Sequence, residues 1–422
     1  MMTPAEAPDP LWEQESGIPG FREWMMRYAG KVAALILTAG IILASPYLEP
    51  PFLLSILVIL CSGILYLIRG TRYISISIIV LAVLYGLGWL PLFVFGATLG
   101  IVVAGEIAYR ASTGGHHRYL TYIAAAAAGG ALAMLYLGHR DPLLLILGVL
   151  VAVLIKVALG DRNDILMVEG LGVAMTMYLF EDLNIQVQNQ VLISAVIIAF
   201  AFGYFAYRLR VADLSGLFSG ALVGIILIVF ADARWFLVML VFLIIGSAST
   251  RYRFEEKASA GIAESHGGVR GYVNVFANGL VGVAAAVLYG LSGGSALALA
   301  LFLGSVATAA ADTMGGEIGM TAGDPVLITT LERVPKGTNG GVTLVGEAAA
   351  LCAAFTIALS GFLLGLGDLP MLLAATLAGF LGSNVDSVVG AVFENKGFIG
   401  NAGTNLIATL AGALLALLFF AA

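Results

Sequence analysis

Between Thr308 and Gly346 an apolar segment ends in TAAADTMGGEIG, passes through a polar loop, and continues as RVPKGTNGGVTLVG. This stretch gathers Asp312, Glu317, Asp324, Arg333, Lys336 and Asn339 beside a dense run of glycines, in a chain of which only 11% is charged. A carboxylate at hydrocarbon depth costs roughly 2.5 to 3.5 kcal/mol, so an acid kept there is read as functional. Lys336 is followed by Gly337, Thr338, Asn339, Gly340 and Gly341. Small residues let successive backbone N–H groups turn toward an anion, with a cation at the lip of the concavity. Acids beside such a loop point to a phosphate and a divalent metal held together. The loop is not a Walker A sequence, which needs GxxxxGK and a hydroxyl residue between a strand and a helix.

Other stretches repeat parts of this chemistry. Ser305, Thr308, Asp312, Gly315, Gly316 and Gly319 fall on one helical face, so Asp312 lies on a stripe of small residues. Glu317, five residues after Asp312, sits about 140° further round the helix. Gly382, Asp386, Gly390 and Glu394 are spaced by four and place a second carboxylate on a glycine-lined face. Two such acids at one depth can share Mg2+, which takes one or two protein carboxylates and fills its shell with phosphate oxygens and water. Asp312 and Asp386, with Glu317 as a third candidate, form the expected metal set. Asn274 and Asn278 open one apolar span, and Asn401 and Asn405 open another. Amides one turn apart project from one face and can bond phosphate, ribose or base edges; interhelical hydrogen bonding competes with that role. The loop RYRFEEKASAGIAESHGGVR brings four cations beside these elements, of which Lys257 and Arg270 stand close to glycines and are the preferred nucleotide-phosphate contacts.

The elements that must position these groups are membrane helices. A chain of 422 residues that is 60% hydrophobic, with a mean hydropathy of +1.01, has more apolar material than a soluble core can bury. Glycine supplies 53 residues, about 13% against a usual share near 7%, which suits close helix packing. Cys61 and Cys352 both lie in apolar runs and indicate neither a disulfide framework nor a thiolate metal site. Apolar runs predict an all-α polytopic fold of about 15 transmembrane helices, the C-terminal ones over 214–231, 235–250, 272–290, 295–318, 342–366, 370–393 and 403–421. With the N-terminus cytoplasmic, eighteen of the 20 Lys and Arg collect on the cytoplasmic face and only Arg140 and Arg234 on the other, which leaves the C-terminus outside. Residues 1–30 carry Asp9, Glu13, Glu15 and Glu23 with Pro4, Pro8 and Pro10, read as a cytoplasmic tail rather than a secretory signal. Residues 31–207 form an N-terminal membrane domain of eight spans whose only deep acids, Glu106 and Glu169, are expected to be paired structurally. Residues 208–422 form the domain that carries the chemistry. The candidate residues all fall on one membrane face, so the expected location is the cell membrane, with the site on its cytoplasmic side.

The motifs TRYRFEEK, GGVRGYVNVFANG, AADTMGGEIG, ITTLERVPKGTNGGVTLVG, GSNVDSVVGAVFE and GNAGTN resemble a membrane family catalogued as domain of unknown function ninety-two, over about Val211 to the C-terminus. That family includes phytyl-phosphate kinase and transmembrane protein nineteen. The resemblance implies a Mg2+-dependent kinase that converts a prenyl monophosphate to the diphosphate with a nucleoside triphosphate, CTP by analogy with polyprenol kinases and phosphatidate cytidylyltransferases. Those more distant relatives share an order of acidic span, lysine-containing loop and late aspartate, here Asp312, Lys336 and Asp386, the expected catalytic residues. The expected partners are the bilayer, an isoprenoid phosphate and the nucleotide, with no nucleic acid; oligomeric state is not legible. A lipid cytidylyltransferase and a transporter or flippase are the competing readings.

Overall fold

The computed structural model describes residues 21–421, except Arg69, Thr113, Gly114, His116, Asp161, Asn163, Ile185 and Gln186. The first twenty residues of the expected tail lie outside the described residues. Each of the fifteen expected spans coincides with a helix: α1 Phe21–Ala44, α2 Pro51–Tyr66, α3 Arg72–Gly86, α4 Leu92–Ala111, α5 His117–Tyr136, α6 Pro142–Leu159, α7 Ile165–Asp182, α8 Asn189–Arg208, α9 Leu214–Phe230 and α10 Ala233–Arg251, then, after a short α11 at Phe254–Ser259, α12 Tyr272–Leu291, α13 Ala296–Gly319, α14 Leu344–Leu363, α15 Leu369–Val389 and α16 Asn401–Ala421. Among the described residues, eleven helices are long and apolar enough to cross a membrane. α2, α3 and α9 are shorter apolar helices.

The chain forms two compact units, one of Met1–Ala152 with Asp161–Tyr178 and the other of Val153–Gly160 with Leu179–Ala422. In the first, α4 is largely buried and packs on α5, where Gly100 and Gly129 bring the two backbones together. Its deep acids are paired: Arg110 Nε donates to Glu106, and the buried Tyr122 hydroxyl donates to Glu169. The second unit includes α8, whereas the sequence suggests a division at 207/208.

α13 is the axis of the second unit, and its sequence explains why. Small residues along it admit neighbours that a larger side chain would hold off. Gly304 meets Gly412 and Ala416 of α16, Ala307 meets Gly379 of α15, and Gly315 meets Gly346 and Ala350 of α14. Asp312 is thereby fixed between three helices that approach at backbone distance. Between α13 and α14 the chain folds into a small antiparallel pair, β1 Val326–Leu327 with β2 Gly341–Val342. That pair closes the base of the loop that carries Lys336. α14 then begins at a Thr343 cap, whose hydroxyl accepts from Gly346 N at 3.0 Å.

Candidate functional site

Asp312 lies near the C-terminal end of α13, and Asp386 near that of α15. Gly382 packs on the Thr308 side chain one turn before each acid, which sets the two helices in register. The carboxyl groups of Asp312 and Asp386 come within hydrogen-bonding reach of each other, with Glu394 close enough to act on both electrostatically. After Val389, α15 widens into a π-type turn over Gly390–Glu394, a form common at functional sites. Thr404 at the start of α16 donates to Glu394 at 3.0 Å.

The Lys336 loop rests on this same end of α15. Gly340, with a left-handed φ of +78°, lies against the Ser387 carbonyl and Ala391; a Cβ there would stand 2.6 Å from Ala391 Cβ. Asn395 Nδ2 donates to the Asn339 carbonyl at 2.9 Å, and the Thr338 hydroxyl turns back to Pro335 O at 2.7 Å. Lys336 itself is exposed and makes no hydrogen bond or ion pair among the described residues.

These pieces line one cavity of about 410 Å³. Asp312, Asp386, Lys336, Gly337 to Gly341, Asn274, Asn278, Asn401, Asn405, Arg270 and Glu317 all contribute to its wall. Nearly the whole expected set therefore meets, although it comes from five separate stretches of sequence.

Lys257 requires a correction, and Glu317, although it lines the cavity, is engaged with that lysine. Lys257 is 1% exposed and does not line the cavity. Its ammonium pairs with the Glu317 carboxylate and donates to the carbonyls of Thr250 at 2.9 Å and Ser249 at 3.3 Å. All three donors of the ammonium are thus engaged, and the carboxylate expected to hold a metal is neutralised by a cation 60 residues earlier. α11, which the sequence reading leaves as loop, turns Lys257 inward. Of the remaining loop cations, Arg251 donates to Leu209 O at 2.8 Å and Arg253 pairs with Glu256 at 2.5 Å.

Three acids in the wall were not singled out from the sequence as site residues: Glu264, Glu347 and Glu394. Glu347 sits in the first turn of α14 and accepts from Asn384 Nδ2 at 3.1 Å. Its signal was present, since an acid one turn into a helix that follows the glycine loop shares the loop's location. Glu264 lies in the 251–270 connection and accepts from Thr250 at 3.4 Å; burial raises its pKa, against the pull of Arg270. Arg270 is 7% exposed, and burial lowers its pKa against the opposing fields of Glu264 and Glu317.

The donor set fits a divalent cation. Buried oxygens of Asp386, Asn278 and Asn405 all belong to this cavity and have no hydrogen-bond partner among the described residues. Six carboxylates line the wall; with Glu317 paired to Lys257, five face the two cations Lys336 and Arg270. Such a surface repels a phosphate unless positive charge is added. Among the described residues no three His, Cys, Asp or Glu converge as a closed metal cage.

A predominantly helical chain with this many apolar helices and an acidic, glycine-lined cavity at one end of them is a polytopic membrane protein built around a polar site. Residues 197–413 match the family described as Integral membrane protein DUF92, and the chain belongs to that family. It is 36% identical over 214 residues to an uncharacterized membrane protein of Methanocaldococcus jannaschii, covering 50% of this chain and 87% of that one. It is 33% identical over 232 residues to Protein PGR of Arabidopsis thaliana, covering 49% and 80%. Identity to Protein VTE6, chloroplastic, of the same plant is 32% over 212 residues, covering 48% and 64%. Comparison with solved structures yields no match. The whole cavity wall lies within the family-matched residues.

Proposed function

We propose that the protein is a membrane prenyl-phosphate kinase, which transfers a phosphoryl group from a nucleoside triphosphate, CTP by preference, to an isoprenoid monophosphate. The observation that carries this reading is the convergence of Asp312, Asp386 and the Lys336 loop in one cavity whose acid excess suits metal-bound phosphates. Family membership and the resemblance to phytyl-phosphate kinase support it. The charge asymmetry of the loops favours the cell membrane, with the cavity open to the cytoplasm.

In the reaction an oxygen of the acceptor phosphate attacks the γ-phosphorus; one P–O bond forms, the β,γ P–O bond breaks, and the nucleoside diphosphate leaves. A phosphate acceptor is already ionised, so positioning and charge stabilisation suffice without a strong general base. Asp312 and Asp386 would hold Mg2+, which when bound offsets the charge of the phosphates. Lys336 presents a free cation to the donor phosphates, while the backbone from Gly337 to Gly341 supplies N–H groups around them. Asn278 and Asn405 offer unpartnered amide oxygens to the same space.

The test is to incubate purified protein with geranylgeranyl or phytyl phosphate, Mg2+ and each nucleoside triphosphate. The kinase moves label from the γ-phosphate into lipid as a diphosphate. Transfer of α-label into lipid would show a cytidylyltransferase instead, and transfer of neither would refute the enzymatic reading.

A further inference from the structure

Beside the polar cavity lies a second, of about 100 Å³, whose wall is apolar except at Arg270 and Asn274. Those two residues line both cavities. The floor of the second is α9, where Gly216, Gly220 and Gly224, spaced by four, share one face. Phe202 of α8 and Phe236 of α10 meet edge to face above it, with ring centres 5.5 Å apart. At Gly220 an added Cβ would touch nothing within 4 Å, so the floor is open there.

A glycine stripe by itself means only that helices can pack closely. Arg270 is the independent observation. Its side chain is more than nine-tenths buried and lies 5.1 Å over the Phe242 ring. It makes no hydrogen bond and no ion pair within 4 Å among the described residues, although its backbone N–H and C=O are bonded to Val211 and Asp213. A guanidinium has five N–H donors and no acceptor, and burying it without oxygen partners is costly. Its donors, in the fields of Glu264 and Glu317, open at the junction of the two cavities, where the oxygens of a ligand can meet them. That ligand has an apolar part on one side of the guanidinium and shares a polar, metal-fitted space on the other.

We propose that the apolar cavity seats the first isoprene units of the acceptor, with Arg270 and Asn274 holding its phosphate at the mouth, an assignment that rests on the prenyl-phosphate kinase reading. An amphiphile with a single anionic head joined to a branched hydrocarbon matches this wall; a nucleoside triphosphate has no apolar stretch to place there. The two free cations of the site then divide between substrates. Arg270 takes the acceptor phosphate and Lys336 takes the donor phosphates. α8 acquires a role as well, since Phe202 and Gly203 close one side of the tail cavity.

Gly220→Leu tests this, because the added side chain fills the cavity from a position where the backbone is not crowded. With γ-labelled nucleotide and geranylgeranyl phosphate in detergent, the KM for the lipid should rise about tenfold or more, in line with loss of a few buried methylene contacts. The KM for nucleotide should stay within twofold. Arg270→Gln should raise the lipid KM further and leave nucleotide KM unchanged. An unchanged lipid KM in Gly220→Leu, or equal rises in both KM values, overturns the assignment while leaving the kinase reading intact; absence of diphosphate from the wild-type protein with every nucleotide defeats the kinase reading instead. A second measurement covers a variant that fails to fold. A prenyl phosphate carrying a diazirine on its first isoprene unit should crosslink wild-type protein within Phe202–Ala206 or Met239–Leu243, and crosslinks confined to other helices would refute the seat.

Discussion

Gly340→Ala should inactivate the protein with little effect on the helices. The wild-type backbone there has φ +78°, and the new Cβ would be forced against the Ser387 carbonyl and to within 2.6 Å of Ala391 Cβ. Left-handed backbone costs an alanine about 1–2 kcal/mol. Overlap with a packed helix adds about 1–3 kcal/mol. α15 is held by α13, α14 and α16 along its length, so the loop is the part that yields. Lifting it moves Lys336 and its backbone N–H groups away from Asp386, and the same 2–5 kcal/mol then appears as lost alignment. At about 1.4 kcal/mol per decade, kcat should fall at least about 30-fold. The assay is single-turnover transfer from γ-labelled nucleotide to prenyl phosphate, alongside thermal unfolding in detergent. Gly397→Ala is the control: its φ is +73°, but nothing stands within 4 Å of an added Cβ. It should lose about 1–2 kcal/mol of local stability and keep turnover within about twofold. Equal turnover in the two variants would refute the claim that contact between loop and α15 sets the catalytic geometry.

Asp312→Ala should lower kcat by at least about 100-fold while the protein remains monodisperse in detergent, since it removes a costly intramembrane acid rather than a packing group; retained turnover would remove the metal role. Lys257→Met should destabilise the second unit by about 3–5 kcal/mol by leaving Glu317 uncompensated, and Lys257→Met with Glu317→Leu should recover most of that loss, both read by thermal unfolding. If Glu317 instead serves a metal, the double variant will be stable but inactive. Glu264 has a pKa raised by burial above its ordinary 4.5, so the folded state binds its proton more tightly than the unfolded chain does. Its contribution to stability is therefore fully present below pH 4.5 and lost as pH rises through the raised value. Glu264→Gln should flatten that decline, and an unaltered stability profile between acidic and neutral pH would count against the burial of this carboxyl.

Much of the architecture was legible from the chain alone. Runs of apolar residues mark all fifteen long helices, because a segment in lipid must satisfy its backbone internally and can do so only as a helix. Spacing by four places Asp312 and Asp386 on small-residue faces, since which residues share a helical face is a local property. The Lys336 loop was visible for a similar reason, its glycines and polar residues being contiguous.

Partnership was not legible. Lys257 reads as a loop cation free to meet a nucleotide, yet a single turn of helix sends it inward to Glu317. Glu264 looks like surface charge until Thr250 of α10 comes beside it, and nothing near Glu347 in sequence names Asn384 of α15 as its donor. Nearby glycines set Arg270 apart from Arg251 and Arg253 as a phosphate contact; its place over Phe242, at the boundary of an apolar and a polar cavity, exists only once α8, α9, α10 and α12 are assembled. Periodicity is written within a few residues and can be read there. Which acid meets which cation depends on close approach between helices far apart in sequence, and that approach is fixed by glycine contacts such as Gly382 with Thr308 and Gly304 with Gly412, whose partners no local pattern names.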